Sequence, residues 1–153
     1  MELSAANALN LRWSFGFNKD LCGGVHHLSD EKTGANSVFY VAAHTGIIYD
    51  YAHRKQRLLQ GHCNPITASC VSFDKRWIAT ADAGPDSLIV LWDSVSGRPI
   101  KDIPNPHKNG VIAMDMSPDA MFLVTMSYVE EGGEEKQEVG FGLVSLAVSR
   151  CLV

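Results

Sequence analysis

The sequence predicts an all-β fold, on three observations. Short runs rich in Val, Ile, Phe, Tyr and Thr recur between punctuating Gly, Pro, Asn and Asp residues. No helical periodicity is sustained over the length a helix needs. The runs also return at the spacing expected of a sandwich, barrel or propeller. In chain order they are "SVFYVAA" from Ser37, "GIIYDYA" from Gly46, "ITASCVSF" from Ile66, "RWIATADA" from Arg76, "SLIVLWD" from Ser87, "VIAMDMS" from Val111 and "MFLVTMSY" from Met121. Each has strand length.

The 153 residues suit one domain, and a composition of 46% hydrophobic and 20% charged residues is that of an ordinary globular chain. The net charge of -4 is localised: "EEGGEEKQE", Glu130 to Glu138, carries five Glu and one Lys, so the remainder is balanced. A balanced remainder without a Lys/Arg stripe argues against nucleic acid as a partner, because phosphate neutralisation supplies most of that affinity. The basic run "HRKQR", His53 to Arg57, reads as a solvated turn. "MELSAANALN" has neither the basic start nor the apolar run of a signal peptide. The apolar "VGFGLVSLAVSRCLV" is too short for a bilayer, so no membrane partner is expected. Cys22, Cys63, Cys70 and Cys151 form no C-x-x-C pair, which fits neither a zinc site nor a disulfide framework and points to a reducing setting.

Repetition selects among the all-β folds. The aromatic-Asp endings Tyr49-Asp50 and Trp92-Asp93 lie 43 residues apart, inside the ~40–45-residue period of propeller blades. "VFYVAAHTG" precedes the first as "WIATADAGPDS" precedes the second, and a third copy opens at "HKNGVIAMDMSPDAMFLVTMSY", with Asp119 in the turn that Asp74 occupies earlier.

Gly61-His62, "SFDKRWIATAD", Asp86 and "LIVLWD" resemble a WD40 repeat. The resemblance implies a β-propeller portion of about two and a half four-stranded blades that does not close a ring. It divides the chain into a leader over 1–10, a divergent first blade over 11–60, a WD40 blade over 61–104, an incomplete third blade with its acidic loop over 105–139, and a divergent tail over 140–153. It further implies a structural hydrogen-bonded tetrad of His62, Thr80, Asp86 and Trp92. Buried imidazole and indole N–H groups need partners, because an unsatisfied donor costs ~1–3 kcal/mol. "NLRWSFGFN", "VAAHTGIIYDY", "LQGH" and "RWIATADAGPD" resemble the opening of echinoderm microtubule-associated-protein-like propellers and, more closely, of ciliary WD-repeat proteins of the calmodulin- and spoke-associated complex. After "EEKQEV" no Trp closes the third copy, and the expectation is a truncated gene product, an alternative carboxyl terminus or a piece of a longer chain.

Enzyme readings are weak. His26, His27, His44, His53 and His62 have no helical H-x-x-x-H spacing or paired carboxylates, so no metal is expected. Cys70 with His62 and Asp74 could be cast as nucleophile, base and orienter, but Cys70 falls in an apolar strand where a buried thiol is ordinary. "GGVHH", "EEGGEE" and "AGPD" lack phosphate-cradling spacing and read as turns, so no cofactor is expected. The resemblance leaves a non-catalytic scaffold whose partners would be radial spoke and calmodulin-containing axonemal components, with tubulin as the alternative.

Overall fold

The computed structural model describes residues 11–21, 23–29, 36–84, 86–104, 106–131 and 134–143. The expected leader and residues 144–153 of the expected tail lie outside them, as do Cys22 and Cys151. Eleven strands and no helix occur among the described residues. The first sheet holds β1 (Val25–His27), β2 (Ser37–Ala42), β3 (Thr45–Asp50) and β4 (Lys55–Gln60). The second holds β5 (Ile66–Val71), β6 (Trp77–Asp82), β7 (Leu88–Asp93) and β8 (Pro99–Pro104). The third holds β9 (Ala113–Met116), β10 (Phe122–Glu131) and β11 (Glu134–Leu143). Every pairing joins strands consecutive in the chain, and all are antiparallel. The sheets do not close on themselves. Strand β11 runs through Leu143, so the third sheet extends past the limit at 139 expected for it.

Period-2 alternation gives each sheet two faces. Phe39, Val41, Ile48 and Leu59 of the first sheet pack against Ile66, Ile78, Val90 and Trp92 of the second. The opposite face of the second sheet, with Ala68, Cys70, Ala79, Ala81, Ile89 and Leu91, packs on Val111 and Leu123. Ala79, Ala81 and Leu91 are all fully buried, so small residues on β6 allow a close approach there. The joints repeat in the backbone: Ile66 N donates to Ala43 O at 2.9 Å, and Val111 N to Asp82 O at 3.1 Å.

The third face of the stack belongs to the first sheet and carries Tyr40 and Tyr49. The segment before β1 lies across it. Ser14 N donates to Gln56 Oε1 at 2.9 Å, Gln56 Nε2 returns a bond to Ser14 O at 3.0 Å, and Trp13 meets Tyr49 edge-on at 6.2 Å. Phe15 and Phe17 remain 88% and 61% exposed.

The hairpin turns at one edge are built twice from the same parts. Ser72 Oγ donates to Asp74 Oδ1, which also accepts Arg76 N, while Trp77 N donates to Ser72 Oγ. Ser117, Asp119, Met121 and Phe122 repeat those bonds. Lys75 and Ala120 occupy the same position with φ of 60° and 57°.

Candidate functional site

A chain of polar groups runs through the packed face between the first two sheets. Trp92 Nε1 donates to Thr80 Oγ1 at 2.8 Å, Thr80 Oγ1 lies 2.7 Å from His62 Nε2, and His62 Nδ1 lies 3.1 Å from Asp82 Oδ2. Asp82 Oδ1 accepts Leu88 N at 2.7 Å. His62, Thr80, Asp82 and Trp92 are all buried. One proton assignment serves every atom: indole to hydroxyl, hydroxyl to Nε2, and Nδ1–H to carboxylate. It requires a neutral imidazole. Burial accordingly holds the His62 pKa below the ordinary histidine value, against the raising effect of the hydrogen bond and charge of Asp82.

His62, Thr80 and Trp92 are thus brought together, whereas Asp86 is not. Asp86 is exposed in the turn before β7 at φ 58°, and Asp82 takes the place expected for it. The cause is alternation: Thr80 and Asp82 stand two apart on β6 and share a face, whereas Asp86 follows the chain out of the sheet. The same alternation in "TAD" carried the signal in the sequence. Gly61 sits under the indole, where a Cβ would come within 3.2 Å of Trp92 Cη2.

The aromatic-Asp endings have a second role. Asp93 Oδ1 accepts Val95 N and Ser96 N, and Asp50 Oδ1 accepts Ala52 N and His53 N, so both carboxylates cap the turn that follows. Asp93 also pairs with Arg76 at 2.6 Å. Tyr49 faces Trp13 and joins no counterpart of the buried chain. In the third sheet His107 Nε2 lies 2.8 Å from Thr125 Oγ1, a repeat of the His62–Thr80 pair that went unread in the sequence.

The hydrolase-like trio is dispersed. Cys70 pairs with Ala79 and faces the third sheet, on the side of β5 and β6 opposite to Thr80, and burial pushes its thiol up to about 12. Asp74 belongs to the Ser72 turn at the far edge. The histidines go to separate partners: His26 to Ser69 at 3.2 Å, His53 to Asp50 at 2.7 Å and His62 to Asp82. Burial lowers the His26 pKa, while Asp115 raises it. Among the described residues no group of three or more His, Cys, Asp or Glu is placed to hold a metal ion.

Comparison with known proteins gives a family match over residues 9–141, to the CFAP251 N-terminal domain. The chain is 52% identical over 126 residues to cilia- and flagella-associated protein 251 of Tetrahymena thermophila, covering 82% of this chain and 12% of that protein. It is 46% identical over 124 residues to the Pongo abelii protein of the same name, covering 80% and 10%, and 42% identical over 130 residues to that of Chlamydomonas reinhardtii, covering 84% and 16%. The chain therefore spans under a fifth of these relatives. Among solved structures it is similar to the Cps50 (Swd1) β-propeller domain of Myceliophteria thermophila, with TM-score 0.56 at 18% identity, covering 86% of this chain and 41% of that one. It is also similar to the tricorn protease, with TM-score 0.58 at 16% identity, covering 78% and 12%. Both likenesses concern the fold alone. The resemblance to the WD40-repeat family is corrected by the family match, since no WD40 model matches the chain. Gly61, His62 and Trp92 instead serve the packing within this sheet, with the indole over Gly61 and bonded through Thr80 to His62.

Proposed function

This chain belongs to the CFAP251 N-terminal domain family, and from that premise we propose that it is part of a non-catalytic docking scaffold of the ciliary or flagellar axoneme. Its place is the base of the radial spokes, and its partners are spoke proteins and calmodulin-containing components. The observation that carries this reading is the 42–52% identity to relatives named cilia- and flagella-associated. The site geometry supports the absence of chemistry. Each polar atom of the His62–Thr80–Trp92–Asp82 chain is spent on a neighbour inside the core, and the Cys70 thiol faces away from it, protonated at any physiological pH.

Proximity labelling from the tagged full-length protein in a ciliated cell tests the proposal. Enrichment of radial spoke and calmodulin-containing components is the expected result. Labelling of cytoplasmic microtubule proteins without spoke components, or a diffuse cytosolic signal, overturns it.

A further inference from the structure

We propose that residues 11–15 of one chain pair with the open edge of strand β11 in a second copy, and that two copies joined in this way at both ends form one closed ring of six sheets. The proposal goes beyond the scaffold reading and rests on the fold alone, so its failure leaves that reading untouched.

Each of the first two sheets has four strands, whereas the third has three among the described residues. What the third lacks is the outermost strand, the place that β4 and β8 take in the others. Strand β11 pairs with β10 over ten residue pairs and, among the described residues, with nothing on its other side. A bare edge of that length is a template for a further strand. The chain also holds a strand-like segment that belongs to no sheet. Leu11, Trp13, Phe15 and Phe17 alternate with Arg12, Ser14 and Gly16, and all four apolar side chains are exposed, Phe15 by 88%. Its place in the chain is that of an outermost strand: β5 starts 11 residues after β4 and β9 starts 14 after β8, while β1 starts 14 after Leu11. Its place in space agrees. β4 reaches over the second sheet through Arg57, bonded to the Ser94 and Val95 carbonyls, and the segment reaches over the first sheet through Ser14 on Gln56 and Trp13 on Tyr49.

The segment cannot fill the gap in its own molecule. It lies on the outer face of the first sheet, β11 belongs to the third, and the second sheet stands between them. A second copy meets both needs, because the sheets stack by one rule. The face that carries Phe39 and Val41, or Ala79 and Ala81, covers the face of the next sheet that carries Trp92, or Leu123. One face of each kind is left open at the two ends. Half-buried Val124 and Met126 with the 52% exposed Phe122 occupy that of the third sheet, on the side away from Leu123 and Thr125. Half-buried Val38, Tyr40 and Tyr49 occupy that of the first. Carrying the β7–β8 register over to the third sheet sets Trp13 against Phe141, Ser14 against Gly140 and Phe15 against Val139. The sheets fan about β1, β5 and β9, as in the propeller they resemble, with His26 of β1 3.2 Å from Ser69 of β5. Six sheets fall within the ~4–8 of closed propellers, and a twofold pair satisfies both ends at once.

Sedimentation velocity of the full chain over a concentration series tests the pair. A species of twice the 16.7 kDa of one chain is expected. Phe15→Pro removes a backbone donor from the pairing segment at an exposed position, and should weaken association about tenfold or more with circular dichroism unchanged. Phe73→Ser, at a phenylalanine 84% exposed in the turn between β5 and β6, should leave association as it was. Mixing Phe15→Cys chains with Val139→Cys chains under oxidation should give a disulfide between positions 15 and 139, located by mass spectrometry, that neither variant gives alone. A monomeric full chain overturns the proposal, and pairing that appears on ending the chain at Leu143 then assigns the edge to residues 144–153. Oligomers that lengthen with concentration, equal weakening by Phe73→Ser, or no bridge between positions 15 and 139 overturn it as well.

Discussion

Replacing Thr80 with Val removes one oxygen and preserves shape, and that oxygen serves two buried partners. Trp92 Nε1 donates to it at 2.8 Å and His62 Nε2 lies 2.7 Å away, in a place where Thr80 and Trp92 are 0% and 2% exposed. Water has no access to replace it. An indole N–H left without an acceptor costs ~1–3 kcal/mol, and the orphaned Nε2 adds to that, giving a loss of about 2–4 kcal/mol. For a chain of this size each kcal/mol moves the melting point by ~2–4 °C, so Thr80→Val should melt roughly 4–15 °C lower. Thr80→Ser is the control, because it keeps the hydroxyl and gives up only a methyl group, worth about 1 kcal/mol. Thermal unfolding followed by circular dichroism and tryptophan fluorescence, at one protein concentration, compares the three chains. If Thr80→Val melts with Thr80→Ser, the shared oxygen does not hold the network together and the hydrogen-bond reasoning fails. Asp82→Asn and Asp86→Asn extend the test: the first should destabilise, and the second, at an exposed turn, should stay within about 0.5 kcal/mol of the parent.

Burial holds His62 and His26 below the ordinary histidine value of ~6.5, so the unfolded chain takes up protons first as the pH falls. Stability should be full above that value and decline below it toward the folded-state values; urea midpoints at stepped pH should show a shallower decline in His62→Gln, and an identical slope would contradict the assignment. Gly97→Ala meets Arg57 in a left-handed turn and should cost ~1–2 kcal/mol in chemical denaturation; an unchanged midpoint refutes the close approach. Cys63 is exposed whereas Cys70 is buried with its thiol raised to about 12, so maleimide mapping by mass spectrometry should label Cys63 in the folded chain and Cys70 only after unfolding. Labelling at equal rates would refute the burial argument. Exposed Phe15 and Phe17 and the unpartnered sheet faces should make the chain associate in light scattering; a sharp monomeric peak would contradict this.

How much of this was legible depended on where each strand sits. The seven apolar runs correspond to strands with at least one packed face. β8 (PIKDIP) was unreadable because it is a last strand with mainly exposed side chains, and β4 (KQRLLQ), also a last strand, buries only Leu59, so packing places little demand on either sequence. Pro99 and Pro104 bound β8, as tolerated on an edge. Within the network, Trp92, His62 and Thr80 were found by matching spacing to a repeat, and the acid was missed for the same reason. Spacing pointed to Asp86 across a turn, while strand alternation pointed to Asp82. The crossing of Arg57 from β4 to the Ser94 and Val95 carbonyls was invisible, since it forms only when the first two sheets are brought together.

Strand order that follows chain order in every sheet bears on how the protein is made. An all-β fold usually waits for distant segments to find each other and folds slowly. Here each hairpin closes on residues just synthesised, so the first sheet can zip from β1 to β4 while β5 is still inside the ribosome. That early sheet then offers Phe39, Val41 and Ile48 as a template, and the Ala43 carbonyl as the first anchor point, to β5 as it emerges. Growth proceeds as a vectorial stacking of units, each shielding the apolar face left by the one before. The vulnerable interval on the ribosome is therefore the short delay between sheets, when one apolar face is finished and its cover is not.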